Sequence, residues 1–307
     1  MKKVLIVILV TLVIMGIICG VGYRYQDEIY VYYQYEVLKV RDNIKIDKNE
    51  YYKDVNYHYV QNTDDFIAKD STHLKNIFFT IINSGVDEFT FYCGDNYSKC
   101  LDDVNSIISN QDLLSGINNF VHPYNSFAKI HTSYDEFGKV IVEIEKIYSD
   151  EDIKVLDEKV DSIINSSVKS NMSNEAKIEA VHNYIINNGK YASDELREKN
   201  KDKAFNKAND ILIEGHGLCS SYADAMALFL DKFDIENYKI ASDTHIWNLV
   251  KIKDEWLHLD LTWDDPITNT GEDILEKYFL LIDNDRLKEL KVEKHEYNSE
   301  IYKEALN

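Results

Sequence analysis

The chain has 307 residues, of which 34 are Lys or Arg and 54 are Asp or Glu, for a formal net charge of −20. That balance repels phosphate backbones and excludes nucleic acid as a partner. The acidic residues are spread along the whole sequence as a solvated surface, and no internal repeat or low-complexity tract is present.

In chain order, Lys2 and Lys3 precede an apolar run over residues 4–22, in which Thr11 is the one polar residue. As a helix this run spans about 28 Å, close to the roughly 30 Å of a bilayer's hydrocarbon core. The two lysines favour an N-terminus in the cytoplasm. Residues 1–22 therefore read as a signal anchor, a single transmembrane helix in the cell membrane with the rest of the chain extracellular. The rival is a cleaved signal peptide ending at Gly20-Val21-Gly22, but the run exceeds the usual apolar region of about 7–15 residues. Cys19 follows the bulky Ile18, which disfavours a lipoprotein cleavage site.

Residues 23–70 are charged and Tyr-rich, with Tyr30, Tyr32, Tyr33 and Tyr35 close together; they read as a juxtamembrane stalk. Residues 71–170 read as a small α+β accessory domain. Helices are predicted over 73–83 and 101–119, the second broken near Leu114. A strand is predicted over 88–92, and 126–132 with 139–147 form a hairpin. Ile153, Leu156, Val160, Ile163 and Val168 then mark an amphipathic helix. Cys93 and Cys100 either close a short disulfide loop or stay as two thiols, and they lack the further ligands of a zinc site.

Residues 171–307 carry the chemistry. A helix over 175–188 stops at Gly189. Next come Gly215-His216-Gly217-Leu218-Cys219-Ser220-Ser221-Tyr222-Ala223, then Thr244-His245-Ile246-Trp247-Asn248, then Trp256-Leu257-His258-Leu259-Asp260-Leu261-Thr262-Trp263-Asp264-Asp265-Pro266. After Cys219, apolar residues recur at Tyr222, Met226, Phe229, Leu230 and Phe233. These are helical steps, so a helix starts at or just before Cys219. Gly215 and Gly217 permit a tight, close-approaching turn ahead of it. A thiol at a helix N-terminus meets partial positive charge, which favours the nucleophilic thiolate.

Residues 245–252 and 255–262 read as strands joined by the turn Lys253-Asp254. A two-residue turn pairs Ile252 with Glu255, Leu249 with His258 and Trp247 with Asp260. His245, Trp247, His258 and Asp260 then share one face, with His245 and Asp260 as diagonal neighbours about 7–8 Å apart at the backbone. Ile246, Val250, Ile252, Leu257, Leu259 and Leu261 form the apolar opposite face. A three-residue turn would separate His245 from Asp260.

These three ordered segments resemble the core of the transglutaminase-like superfamily, the papain-related fold with a Cys…His…Asp order. The resemblance covers residues 172–283 and includes a further strand over 278–281. It implies an α+β catalytic domain with its nucleophile helix packed on an antiparallel sheet. Cys219 is then the nucleophile, His245 the general base and acid, and Asp260 the orienter. The expected enzyme is a transglutaminase-like cysteine peptidase or a protein-glutamine acyltransferase, acting on protein or peptide substrates outside the cell with no cofactor. Many eukaryotic transglutaminases carry a Trp upstream of the Cys to stabilise the oxyanion. No Trp precedes Cys219, so the Cys219 N–H needs another donor.

Trp247, Trp263 and His216 are candidate substrate-binding residues, against core packing for the tryptophans and a surface loop for His216. A metal set of His245, His258 and Asp260 is the weaker alternative to the thiol triad. Asp264, Asp265 and Pro266 read as the turn that ends the Asp260 strand. Asn248 faces the apolar side, where it ties down a backbone group. The competing function is a cell-surface scaffold with a catalytically weak triad.

Overall fold

The computed structural model describes residues 2–42, 44–265, 278–291 and 293–306. It opens with α1 (Lys2–Arg24), α2 (Gln26–Tyr32) and a π-helical turn, Tyr33–Val37. Ile8, Leu9, Leu12, Ile14, Ile17 and Ile18 are among the apolar side chains that α1 exposes. Among the described residues, no single helix is long and apolar enough to cross a membrane. One pair, Ile8–Arg24 with Gln26–Val37, passes on length and composition together but is bent by 71°. The bend falls at Tyr25, whose backbone leaves the helical region (φ −113°, ψ 22°).

The residues expected to form a stalk divide. Tyr30, Tyr32 and Tyr33 are all exposed, and of these Tyr30 also touches Phe137 with ring centroids 4.8 Å apart. Tyr35 donates its hydroxyl to the Phe137 carbonyl at 2.7 Å. Beyond Asn43 the chain is a strap across the fold rather than a stalk. Tyr57, Val60 and Phe66 are buried, and Ile44, Ile46 and Val55 pack against the same core. Apolar residues recurring through an otherwise irregular segment make that burial favourable.

A four-stranded sheet of order β1-β2-β4-β3 follows, built from β1 (Ile67–Ala68), β2 (Glu88–Cys93), β3 (Phe127–Tyr134) and β4 (Lys139–Lys146). It shares a core with α3 (Ser71–Ser84), α4 (Cys100–Ser109) and α5 (Gln111–Asn118). The Asp70 side chain caps α3 by accepting the His73 N–H, and Gly85 at φ +69° ends it. The break in the second helical run lies at Asn110, which caps α5 through the Leu113 N–H. Cys93 and Cys100 form a disulfide that ties the end of β2 to the start of α4.

Helix α6 (Asp150–Ser167) starts in a capping box between Ser149 and Asp152. Its buried face, Leu156, Val160 and Ile163, packs in a second core with α7 (Asn174–Asn188). In packing terms the accessory part therefore ends before α6, not at residue 170. The chain continues through β5 (Lys190–Tyr191), the solvated α8 (Asp194–Lys199), α9 (Ala208–Leu212), β6 (His216–Gly217) and α10 (Cys219–Lys232), with β5 and β6 paired in parallel and α9 and α10 extending the second core. An antiparallel sheet of β7 (Asn237–Ala241), β8 (Ile246–Ile252) and β9 (Glu255–Leu259) comes next, with β8 central. Helix α11 (Asn284–Leu290) and a 3-10 turn (Lys303–Leu306) close the chain.

This three-stranded sheet has a core on each side. Val250, Ile252 and Leu259 join α10 in the second core, while Leu249, Trp247 and Trp256 join Tyr57 and Phe120 in the first. Lys253-Asp254 is a two-residue turn with Lys253 at φ +59°, and it pairs Ile252 with Glu255 and Leu249 with His258. Residues 278–281 are not a strand. Leu281 sits at φ +57°, which interrupts an extended chain, and Ile282 alone bridges to His258.

Inside α10, Asp224 is buried and ion-paired with Lys239 of β7 at 2.6 Å, and it accepts the Tyr148 hydroxyl at 2.7 Å. This pair clamps α10 to the sheet. Removing one partner of a buried pair strands the other charge. Lys239→Met should therefore lower the unfolding free energy by about 3–5 kcal/mol, measured by urea denaturation. A loss near zero would show that water already screens Asp224.

Candidate active site

Cys219 is the first residue of α10, after the extended Leu218 (φ −94°, ψ 177°). It is half-buried and unbonded to another cysteine. The approach to it depends on glycine. Gly215 lies at φ +78°, and a Cβ on Gly217 would fall 2.5 Å from the Cβ of Ser221. The loop is pinned by Phe205, whose carbonyl accepts the Leu218 N–H at 2.8 Å and the Ser221 hydroxyl at 2.6 Å. The Ser221 and Tyr222 N–H groups bond to the Leu218 carbonyl at 2.9 and 3.3 Å, and the Cys219 and Ser220 N–H groups are the ones with no partner within the helix.

His245 immediately precedes β8 and Asp260 immediately follows β9. The hairpin register brings His245 Nε2 to 2.6 Å from Asp260 Oδ2. Cys219 stands near the same ring, close enough for its side chain to favour the charged imidazolium. Burial pulls the His245 pKa down, but hydrogen bonds to Asp260 and Cys219 outweigh it and raise the value to about 9. Burial pushes the Asp260 carboxyl the other way, and the hydrogen bonds from His245 and His295 override it, so its pKa is lowered. The remaining oxygen, Oδ1, accepts the N–H groups of Thr262 at 2.9 Å and Trp263 at 3.3 Å.

His295 was not singled out from the sequence. It lies in an irregular segment with no motif around it, yet its Nε2 is 2.8 Å from Asp260 Oδ2. Asp264 and Asp265 do more than end a strand. Asp264 is buried against His182 of α7 at 3.0 Å and accepts the Phe279 N–H at 3.0 Å. Asp265 accepts the hydroxyl of Tyr222 in α10. Pro266, expected in the same turn, lies outside the described residues.

The other sequence candidates separate. Trp247 does not line a cleft: it is 1 % exposed, stacks on His245 with centroids 5.6 Å apart, and donates its indole N–H to His258 Nδ1 at 3.0 Å. It is the floor under the His245 imidazole. Trp263 is half-buried and meets His245 edge-on at 6.4 Å, so part of its ring faces outward beside the site. His216 is exposed in β6, three residues before the thiol. Asn248 donates to the Ala223 carbonyl of α10 at 2.9 Å, tying sheet to helix. Tyr191 stands beside Cys219; burial, then the Cys219 charge, raises its pKa, so its hydroxyl stays protonated.

Burial, with His295 next to it, drives the His258 pKa down to about 3, so that ring is neutral. Its Nδ1 is engaged by Trp247, which removes it from the metal set anticipated with His245 and Asp260. The described side chains whose donor atoms lie within 4.8 Å of one another, near enough to share a cation, are His245, Asp260 and His295. In this cluster both imidazoles reach one carboxylate oxygen at hydrogen-bond distances. A tetrahedral ion bound at about 2.0–2.2 Å to each group would force those contacts apart in a buried site.

Residues 161–261 match the sequence model of the transglutaminase-like superfamily. Among solved structures, a "Crystal structure of a TGase" aligns at 14 % identity with a TM-score of 0.34, over 50 % of this chain and 48 % of its own. A "Putative Cysteine Protease from Cytophaga hutchinsonii" aligns at 13 % identity with a TM-score of 0.28, over 44 % of this chain and 61 % of its own. The alignment thus spans about half the length of the first structure and under two thirds of the second. No curated protein matches the sequence.

Because the folded pKa of His245 lies above its unfolded value of 6.5, its ionisation stabilises the fold fully below pH 6.5. That contribution is lost as pH rises through about 9. His245→Ala should flatten the fall in stability across this window. Parallel curves for wild type and variant, from thermal melts at each pH, would place the charge elsewhere.

Proposed function

We propose, from the premise that residues 161–261 are a transglutaminase-like domain, that this chain is a thiol enzyme acting on amide bonds of proteins or peptides through an acyl-enzyme at Cys219. The observation that carries this reading is the 2.6 Å bond from His245 to the buried Asp260, with Cys219 near enough to the same ring to favour its charge. The Cys219 thiolate attacks the amide carbonyl carbon. The tetrahedral oxyanion takes the first N–H groups of α10, and the protonated Tyr191 hydroxyl is the adjacent side-chain donor. As the C–N bond breaks, the His245 imidazolium gives its proton to the leaving amine and a thioester remains. Water or a second amine then attacks the thioester. His245 takes the incoming proton, and the thiolate leaves. Asp260 fixes the ring orientation and stabilises its charge throughout. Water as acceptor makes the protein a peptidase or deamidase, and a lysine amine makes it an acyltransferase.

The site of action in this reading is outside the cell membrane. The apolar run over residues 4–22, the lysines before it and the exposed apolar surface of α1 support a signal anchor. The disulfide between Cys93 and Cys100 is of a kind that persists in oxidising compartments.

Two measurements test these statements. The chain, incubated with an extracellular extract and a labelled amine, should cleave or label proteins, and Cys219→Ala should do neither. Asp260→Asn should lower turnover on the order of 10⁴-fold, by analogy with triads elsewhere. Equal product from wild type and Cys219→Ala would sink the enzyme reading. For location, protease added to intact cells should remove the domain; protection until lysis overturns the topology.

A further inference from the structure

We propose that His295 is a positioning residue for the Cys219 site: its ring N–H shares one oxygen of Asp260 with His245, and so moderates how strongly Asp260 holds the proton of His245. This rests on the thiol mechanism above and deepens it.

The two imidazoles meet the same atom, Asp260 Oδ2, His245 at 2.6 Å and His295 at 2.8 Å, with ring centroids 5.2 Å apart. Oδ1 is taken by the Thr262 and Trp263 N–H groups. An oxygen that accepts two imidazole donors attracts each less than it would attract one. The orientation of His295 is fixed by its other contacts. Its Nδ1 faces the Glu293 carbonyl at 3.2 Å; that oxygen and Asp260 Oδ2 both only accept, so a ring that donates to both carries a proton on each nitrogen. Phe279 stacks on the ring at 5.0 Å and 9°, Trp247 packs at 4.8 Å, and Trp263 meets it edge-on at 5.4 Å. The residue is 6 % exposed. The ionisable side chains around it are Asp260 and His245 from the ends of the hairpin and His258 from β9, with Cys219 beyond His245. A side chain serving packing alone would not need a donor aimed at the carboxylate.

His295→Phe preserves the stacking and removes the donor. All of the Oδ2 charge then acts on His245, so its imidazolium should persist to higher pH, by on the order of one pH unit. A more basic imidazolium is a weaker acid toward the leaving amine, so turnover should fall about tenfold with KM little changed. His295→Gln restores an N–H near the position of Nε2 and should recover part of both effects.

The direct test needs no substrate. Iodoacetate is an anion, so its rate with the Cys219 thiolate falls when the neighbouring imidazolium loses its charge. Alkylation of the full chain is measured across pH in wild type, His295→Phe and His295→Gln. The expected result is a falling limb displaced upward in His295→Phe and returned toward wild type in His295→Gln. An unmoved limb in folded His295→Phe overturns the proposal. If that variant does not fold, imidazole 15N NMR of the wild type decides: Nε2 of His295 must carry a proton, and an unprotonated Nε2 overturns the role. Absence of amide turnover in the wild type defeats the enzyme reading alone, because the alkylation limb is read without it.

Discussion

The Asp260 carboxylate is the constraint on which the rest of the site depends. At 1 % exposure, an ionised carboxylate survives only if hydrogen bonds replace its water. Four donors do so: two backbone N–H groups from the turn after β9, one imidazole from the start of β8 and one from the segment after α11. Three chain segments must therefore be in place before that charge is tolerated. The same bonds orient the His245 ring toward the thiol, so satisfying a buried charge and aiming a base are one act of folding.

The sheet that carries these groups does not stand alone. Its inner face packs on α10 and sets the distance from hairpin to thiol, with Asn248 and the Asp224–Lys239 pair as polar ties. Its outer face is covered by the strap and the accessory core: Tyr57, Phe120, Tyr238 and Trp256 form a chain of ring contacts with centroids 4.6 to 6.4 Å apart. The C-terminal turn adds Tyr302, whose hydroxyl accepts from Asn119 at 2.7 Å. The accessory part thus braces the back of the sheet that carries His245 and Asp260, which a tethered, separate domain would not do.

How much of this was legible in the sequence follows from the range of each interaction. Local signals carried well. The period of apolar residues located α3, α6, α7 and α10, and the alternation around Lys253-Asp254 located the hairpin. The closeness of His245 to Asp260 depended on the length of that turn, and the structure has the two-residue form that puts both on one face. Contacts made across the fold left no local trace. His295 meets Asp260 from 35 positions away through a segment with no regular structure. Asp264 looked like a turn residue because turns use Asp for short-range bonds, while its carboxylate reaches α7, 82 positions earlier. The strap looked like a stalk because Tyr and charged residues suit both settings. For Trp247 cleft and core readings stood side by side, because an aromatic two residues after His245 has the same sequence signature whether it lies above the ring or beneath it.

His245 and His258 show how little residue type alone decides. Both lie at the same end of one hairpin, both are buried, and in both burial is the largest effect on the pKa. Their titrations nevertheless diverge, to about 9 for His245 and about 3 for His258. His245 has a carboxylate on Nε2 and the Cys219 thiol nearby, and both favour its charged form. His258 accepts an indole N–H and sits near another imidazole, and both favour its neutral form. A pair of like groups pushed apart in this way separates a proton carrier from a structural acceptor. The indole of Trp247 links the two, stacking on the first ring while donating to the second, so the neutral histidine holds the floor on which the charged one rests.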